Sequence, residues 1–116
     1  MALRQVKQTQ RNKESDRVQE LTVTGAVNVN VESIELNHAS TIIAATAVAT
    51  EFEGIVIVKN TSASGTAAHK VTLTGGTWDG TNTIVTLNAP NEAIIVYIDS
   101  AGDGTIIENV GTVALS

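Results

Sequence analysis

Apolar and polar residues alternate with a period of two over much of this chain. In residues 21–36 the apolar side chains occupy alternate positions, and the parity changes at Glu32-Ser33. Those before the change are Leu21, Val23, Val27, Val29 and Val31, and those after it are Ile34 and Leu36. This alternation is typical of half-buried strands. We therefore predict extended structure here, with a turn or bulge at Glu32-Ser33 that restores the inward face.

The rest of the chain also has a strand pattern. Residues 40–50 contain alanines, which permit a helix, but their β-branched residues favour a strand. Residues 54–60 are apolar on both faces, which predicts a central strand that is covered on both sides. Further strands are predicted at residues 69–74, 83–88, 93–99 and 105–115.

Turn-forming sequences separate these segments at intervals of roughly ten residues, which is typical of antiparallel sandwiches and barrels. The spacing leaves no room for parallel crossover connections. We therefore predict an all-β fold, an antiparallel β-sandwich or barrel of about seven or eight strands.

The composition agrees with a small β-rich protein. The 116 residues are 42% hydrophobic and only 3% aromatic, and they include no cysteine. A core of this size without disulfides needs tight packing or partner subunits for its stability. No apolar stretch approaches the roughly 18 residues of a membrane span, and the N-terminal residues lack the apolar segment of a signal peptide. We expect a soluble protein that is made in the cytoplasm and has no membrane contact.

Charge divides the chain into a basic extended arm, residues 1–17, and an acidic body, residues 18–116. The arm has five basic side chains against two acidic ones, a net charge of +3, and the body has two against ten, a net charge of −8. The arm has too few apolar residues to fold alone. It is either a solvated tail or a segment that becomes ordered on a partner's acidic surface. The partner-binding residues would then be Leu3, Arg4, Val6, Lys7, Arg11 and Lys13.

The one tryptophan, Trp78, lies in a glycine-rich turn with the sequence GGTWDGTN. Gly80 is expected to supply a positive φ between two strands. Trp78 can fold back over the end of its own aliphatic core, or it can project outward as an interface anchor. The flanking glycines let another backbone approach closely, so we predict that Trp78 binds a partner, with burial in the core as the alternative.

Candidate catalytic and metal-binding residues are few and scattered. Asp99 and Asp103 lie in a glycine-containing turn that lacks the ligand spacing of a calcium loop. Glu51 and Glu53 alternate as on one face of an exposed strand. The two histidines, expected at loop or strand-end positions, are His38 and His69. Without a nucleophile elbow or a catalytic cluster, we expect no enzymatic activity, no metal and no cofactor.

The C-terminal third contains a distinctive series of turns: GTWDGTN, then LNAP, DSAG and a closing IIENVG. Residues 76–116 resemble a segment of tailed-bacteriophage virion proteins, in particular the small capsid decoration, or cement, proteins. The resemblance implies a structural virion protein that is made in the host cytoplasm and binds the major capsid protein on the capsid surface. It also implies a homo-oligomer, with a trimer favoured over a dimer.

Two other function classes stay open. The same segment is present on other virion components, so the alternative is a fibre, spike or baseplate component that binds a host-surface glycan. A nucleic-acid-binding protein would use the basic arm. The acidic body would repel phosphate, however, and the chain has few aromatic residues for base stacking. Nucleic acid is therefore not the expected partner.

Overall fold

The computed structural model describes residues 17–52 and 54–116, which form two packed β-sheets. The strands are β1 (Val18–Leu21), β2 (Ser33–Leu36), β3 (Ala44–Val48), β4 (Gly54–Asn60), β5 (His69–Thr74), β6 (Ile84–Leu87), β7 (Ala93–Ile98), β8 (Gly104–Val110) and β9 (Ala114–Leu115). The five-stranded sheet has the order β1-β2-β4-β7-β8, and the four-stranded sheet has the order β3-β5-β6-β9. The prediction of an all-β fold is confirmed.

Helical structure within these ranges is confined to one 3-10 turn, Ala49–Glu51, which follows β3. No helix in the described part of the chain is long and apolar enough to cross a membrane.

The core lies between the two sheets and is filled mainly by aliphatic side chains. On β4, Val56 and Val58 are buried, and on β7 the buried residues are Ile94, Val96 and Ile98. The four-stranded sheet contributes Ala45, Ala47, Val71, Leu73, Val85 and Leu87. Alternate residues of a strand face the same side, which explains the period of two. Full burial of each large aliphatic side chain contributes about 1.5–3 kcal/mol.

The predicted antiparallel topology is wrong in part, because three of the seven pairings among the described strands are parallel. The parallel pairs are β1 with β2, β2 with β4, and β3 with β5. The pairs β2–β4 and β3–β5 arise because consecutive strands from β2 to β5 alternate between the two sheets: β2 and β4 lie in the five-stranded sheet, and β3 and β5 lie in the four-stranded sheet. Two strands of one sheet are therefore connected through a strand of the other sheet, and they pair in parallel without a helical crossover. Turn spacing shows where a strand ends, but it does not show which strand it will pair with.

The extended structure predicted through residues 21–36 is interrupted by a loop, residues 22–32. Within it, Val23 is 69% exposed and Val29 is 58% exposed. The side chain of Gln19 on β1 holds this loop, because its amide nitrogen donates to one loop carbonyl at 3.1 Å and its oxygen accepts one loop N–H at 2.7 Å. The alternation of apolar residues continues through the loop, although the backbone there is not part of a strand.

Most of the other predicted strands are close to their observed positions, but the single strand predicted at residues 105–115 is wrong, because this range divides into β8 and β9, which lie in different sheets. Residues 40–50 contain β3, and residues 54–60 coincide with β4, the middle strand of the five-stranded sheet. The predicted cover on both faces of β4 is absent among the described residues. One face packs on the core, whereas the other leaves Ile55 45% exposed.

Trp78 is fully buried in the core, so the predicted role of its side chain as an interface anchor is wrong. Its exposed fraction is 0%, and its indole Nε1 donates to the carbonyl of Val71 at 3.2 Å. The turn folds back because the amide of Trp78 donates to the carbonyl of Asn82 at 2.8 Å. Gly80 has the predicted positive φ, at +88°. The indole fills space that the small aliphatic side chains around it leave open.

Trp78→Ala is therefore expected to lower the free energy of unfolding by about 3–5 kcal/mol, because it empties a large buried site. Tyr97→Ala is the control, since the Tyr97 side chain is half-exposed on the five-stranded sheet, and it should cost about 1 kcal/mol or less. Chemical denaturation of both variants at low protein concentration measures the difference. Equal losses for the two variants would contradict this assignment.

Candidate docking surface

The arm residues predicted to bind a partner lie outside the described residues. They are Leu3, Arg4, Val6, Lys7, Arg11 and Lys13. The description starts at Arg17, whose backbone carbonyl accepts the amides of Glu32 and Ser33 at 2.7 and 2.9 Å. The guanidinium of Arg17 lies 3.7 Å from the Glu32 carboxylate. Arg17 is therefore the point at which the arm joins the body, beside β1 at one edge of the five-stranded sheet.

Asp79 holds the turn that contains Trp78. Its Oδ1 accepts the amides of Thr81 and Asn82 at 3.0 and 2.6 Å, and its Oδ2 accepts the side-chain amide of Asn82 at 2.8 Å. The hydrogen bonds from the backbone and then the side chain of Asn82 are the main reason why the pKa of Asp79 lies below its ordinary value. The sequence DGTN thus builds the turn itself.

A second turn, residues 99–103, packs against the turn that contains Trp78 and is hydrogen-bonded to it. The Oδ1 of Asp99 accepts two backbone amides of its own turn, both at 2.9 Å. The amide of Thr77 in the first turn donates to the carbonyl of Gly102 in the second at 3.0 Å. A Cβ added to Gly76 would lie 2.1 Å from that carbonyl oxygen, so the close approach requires glycine. The two turns therefore stabilise each other next to Trp78.

The acidic residues considered for chemistry serve local structure where they are described. Asp99 is engaged by the amides of its turn, among them that of Asp103. Glu51 ends the 3-10 turn after β3, and Glu53 lies outside the described residues. No group of three or more His, Asp or Glu side chains within residues 17–52 and 54–116 is placed to hold a metal ion.

His69 and Ser62 form a buried contact that superficially resembles a base and a nucleophile. The Nε2 of His69 lies 3.3 Å from the Oγ of Ser62. The Nδ1 of His69 accepts the amide of Ile43 at 3.0 Å, so Nε2 carries the proton and donates to the carbonyl of His38 at 2.8 Å. A protonated nitrogen cannot accept the proton of Ser62. The cluster therefore joins loops to strands, and both histidines occupy the predicted loop or strand-end positions.

Glu92 is a buried carboxylate that connects two turns, and it is 5% exposed. Its Oε1 accepts the amide of Asn88 at 2.6 Å, and its Oε2 accepts the amide of Thr112 at 2.9 Å and the hydroxyl of the same residue. Desolvation by burial acts to raise the pKa of Glu92, but the hydrogen bonds from Thr112 and Asn88 outweigh it and hold the pKa below the ordinary value of 4.5. No sequence signal distinguishes this residue from an exposed acid in a turn.

The outer face of the five-stranded sheet carries an apolar patch at its centre. Ile55 and Ile57 of β4 pair with Tyr97 and Ile95 of β7, and all four point away from the core. Ile55 is 45% exposed, Tyr97 is 47% exposed, and Ile107 on the neighbouring β8 is 55% exposed. We name the four side chains of β4 and β7 the outer patch; Ile107 lies at a bulge in β8 and has no register partner on β7. Large apolar patches on a protein surface often mark interaction sites, so the outer patch is a candidate docking surface.

Charged side chains border the outer patch. Glu35 of β2 lies beside Lys59 of β4 in register, and Glu20 of β1 lies beside Glu35. On the opposite side, Glu108 of β8 pairs with Ile95 of the patch. An apolar centre with a charged rim is the usual arrangement of a protein interface.

The outer face of the four-stranded sheet differs in composition. Its outward positions are mainly polar: Thr46, Lys70, Thr72, Thr74 and Thr86. Two large apolar residues, Val48 and Ile84, also face outward, but Val48 pairs with Thr74 and Ile84 pairs with Thr72. They are not cross-strand neighbours and form no continuous patch. The apolar outer surface is therefore a feature of one sheet and not of both.

Comparison with known proteins gives no assignment. No protein-family model matches the chain, and no curated protein or solved structure matches it. The outer patch and the division of charge are the features of the described body and of the sequence that bear on function.

The buried carboxylate gives a prediction about pH. The folded-state pKa of Glu92 is lowered, so its contribution to stability is present above a pH of about 4.5 and is lost as the pH falls through the folded-state pKa. Glu92→Gln should lower the free energy of unfolding near neutral pH by about 1–3 kcal/mol, because buried amides lose their acceptor. The deficit relative to wild type should shrink as the pH falls below about 4.5.

Denaturation curves recorded from neutral to acidic pH measure this deficit. Glu108→Gln is the matched control, because Glu108 is an exposed carboxylate on β8 and should change stability little at any pH. A deficit for Glu92→Gln that stays constant throughout the acidic range would show that the charge of Glu92 does not stabilise the turns.

Proposed function

We propose that this chain is a structural virion protein that binds the outer surface of a phage capsid and cements neighbouring capsomers. The observation that carries the proposal is the division of charge, in which a basic arm is joined to an acidic β body. A rigid β body, in which the buried Glu92 and His69 hold turns and loops, offers a broad apolar surface for contact with other proteins. The resemblance of residues 76–116 supplies the assembly, a phage capsid. The protein acts by binding, without an enzymatic step, a metal or a cofactor.

The physical task of such a protein fits a rigid body with a charged arm. A shell that is filled with DNA is under outward pressure, and its capsomers tend to separate along their shared edges. A protein that contacts several capsomers gains avidity, because each added contact is effectively intramolecular. Seventeen extended residues reach about 55 Å, which is long enough to cross a seam between subunits.

The division of charge indicates how the two parts share this task. The arm carries +3 and the body −8, so an acidic surface of the major capsid protein would attract the arm and repel the body. The arm residues Arg4, Lys7, Arg11 and Lys13 would make the electrostatic contacts, with Leu3 and Val6 as apolar anchors. The protein would act as a homo-oligomer, since several bodies and several arms strengthen the attachment.

The glycan-binding alternative loses the feature that favoured it. Of the three aromatic side chains, Trp78 and Phe52 are buried, and Tyr97 is the one with an exposed ring. Trp78 is thus not available to stack on a sugar. A role in packaging DNA is opposed by the acidic body, which would repel phosphate.

Replacing the arm residues Arg4, Lys7, Arg11 and Lys13 by glutamine is expected to weaken capsid binding at least about tenfold and to reduce its dependence on salt. The assay is co-sedimentation of the purified protein with capsids that have been stripped of it, scored by copies bound per copy of major capsid protein. Binding of the wild type should saturate at a fixed ratio set by the lattice.

Lys70→Gln is the matched control, because it removes one positive charge from the outer face of the four-stranded sheet. It should leave binding unchanged. Absence of saturable binding by the wild type would refute the proposal, and presence of the chain in tails alone would favour a fibre or baseplate role. If Lys70→Gln weakened capsid binding as much as the arm substitutions do, the basic residues of the arm would not be specifically responsible for binding.

A further inference from the structure

The outer patch has a fixed shape before any partner arrives. Its central strand, β4, is hydrogen-bonded to β2 on one side and to β7 on the other. The pairs Ile55–Tyr97 and Ile57–Ile95 therefore stand in register on a continuous sheet. A partner that binds such a surface meets few mobile groups that must be ordered, so little entropy is lost.

The size of the face fits another sheet better than it fits a short peptide. Strands about 4.8 Å apart, with about 3.3 Å per residue, give a face of roughly 20 Å by 20 Å. Two such faces have a flat area of about 800 Å² in total, somewhat below the roughly 1,000–1,200 Å² at the lower limit for specific interfaces, so the contact is expected to be weak and reversible. The arm offers Leu3 and Val6 as its larger aliphatic side chains, whereas a second copy offers the same four apolar side chains in return.

The rim is compatible with a second copy and does not require a strongly charged partner. Glu35 and Lys59 lie side by side on the outer face, so each copy brings both signs of charge. With Glu20 and Glu108 included, the rim has a small negative excess. Charges at a rim stay in contact with water, where salt screens their repulsion. Contact between two copies should therefore depend on the apolar centre and should not weaken when salt is added.

Symmetry favours two copies over three. A two-fold dimer uses one patch twice, whereas a ring of three needs two different patches on each subunit. The described surface has one apolar sheet face, because the outward residues of the four-stranded sheet are mainly polar. Face-to-face packing of two sheets is also a common arrangement of β proteins.

We propose that a second copy of this chain covers the outer patch, so that two bodies form a two-fold dimer through their five-stranded sheets. The dimer replaces the trimer that the resemblance favoured. It forms in the isolated protein, so it does not depend on the proposed attachment to a capsid, and the arm stays available for other contacts.

Sedimentation equilibrium of the full chain from about 1 to 300 µM tests the proposal, because an interface of this size predicts dissociation in the micromolar range. The wild type should show a monomer–dimer equilibrium that is unchanged or tighter when salt is raised from about 0.05 to 0.5 M. Ile55→Lys should raise the dissociation constant at least about tenfold, because it places a charge in the apolar centre.

Val48→Lys is the matched control, because Val48 is 40% exposed on the other sheet while Ile55 is 45% exposed. It should leave the equilibrium unchanged. If Ile55→Lys does not fold, as judged by circular dichroism, the double variant Ile55→Thr/Tyr97→Thr replaces it, since threonine suits an exposed strand. That variant should also weaken the dimer.

Four results would overturn the proposal: a wild type that stays monomeric at the highest concentration, a trimer or larger ring, equal weakening by Ile55→Lys and Val48→Lys, or no weakening by either. Deletion of residues 1–16 provides a further check. If the deletion abolishes self-association while Ile55→Lys does not, and if salt weakens the wild-type complex, then the basic arm holds the copies together and the sheet face does not.

Discussion

The structure depends on the central strand β4, which has apolar side chains on both of its faces. Val56 and Val58 face the core between the sheets, and Ile55 and Ile57 face outward. Such a strand is typical of a sheet that is covered on both sides. The four-stranded sheet covers only one side. The same residues that make β4 a good central strand therefore leave an apolar surface that fits contact with another protein.

The positions of many strands could be predicted because alternation and turn residues are local signals. Residues 54–60 coincide with β4, and Gly80 has the positive φ that its turn requires. Strand pairing could not be predicted in this way. β2 and β4 are neighbours because β3 crosses to the other sheet, and that crossing depends on how the whole core packs. Val23 continues an alternating pattern inside a loop that is held by the side chain of Gln19, and such a side-chain contact does not show in the alternation.

The candidate site was predictable only in part, and the reason is again the range of the interactions. The glycine turn around Trp78 is a local feature, but the direction of the indole depends on its hydrogen bond to the backbone carbonyl of Val71 on β5. The interlocked turns also depend on the approach of Gly76 to Gly102. By contrast, the apolar character of both faces of residues 54–60 already indicated a surface in need of cover. A second copy provides this cover in our account.

The most direct test of the account is a reconstruction of the intact virion that contains this chain. We expect β bodies at regular lattice positions on the outer surface of the capsid, in pairs whose five-stranded sheets face each other. The arm residues should contact the major capsid protein across a seam between capsomers. Absence of the chain from the capsid lattice, with its density confined to the tail, would contradict the account.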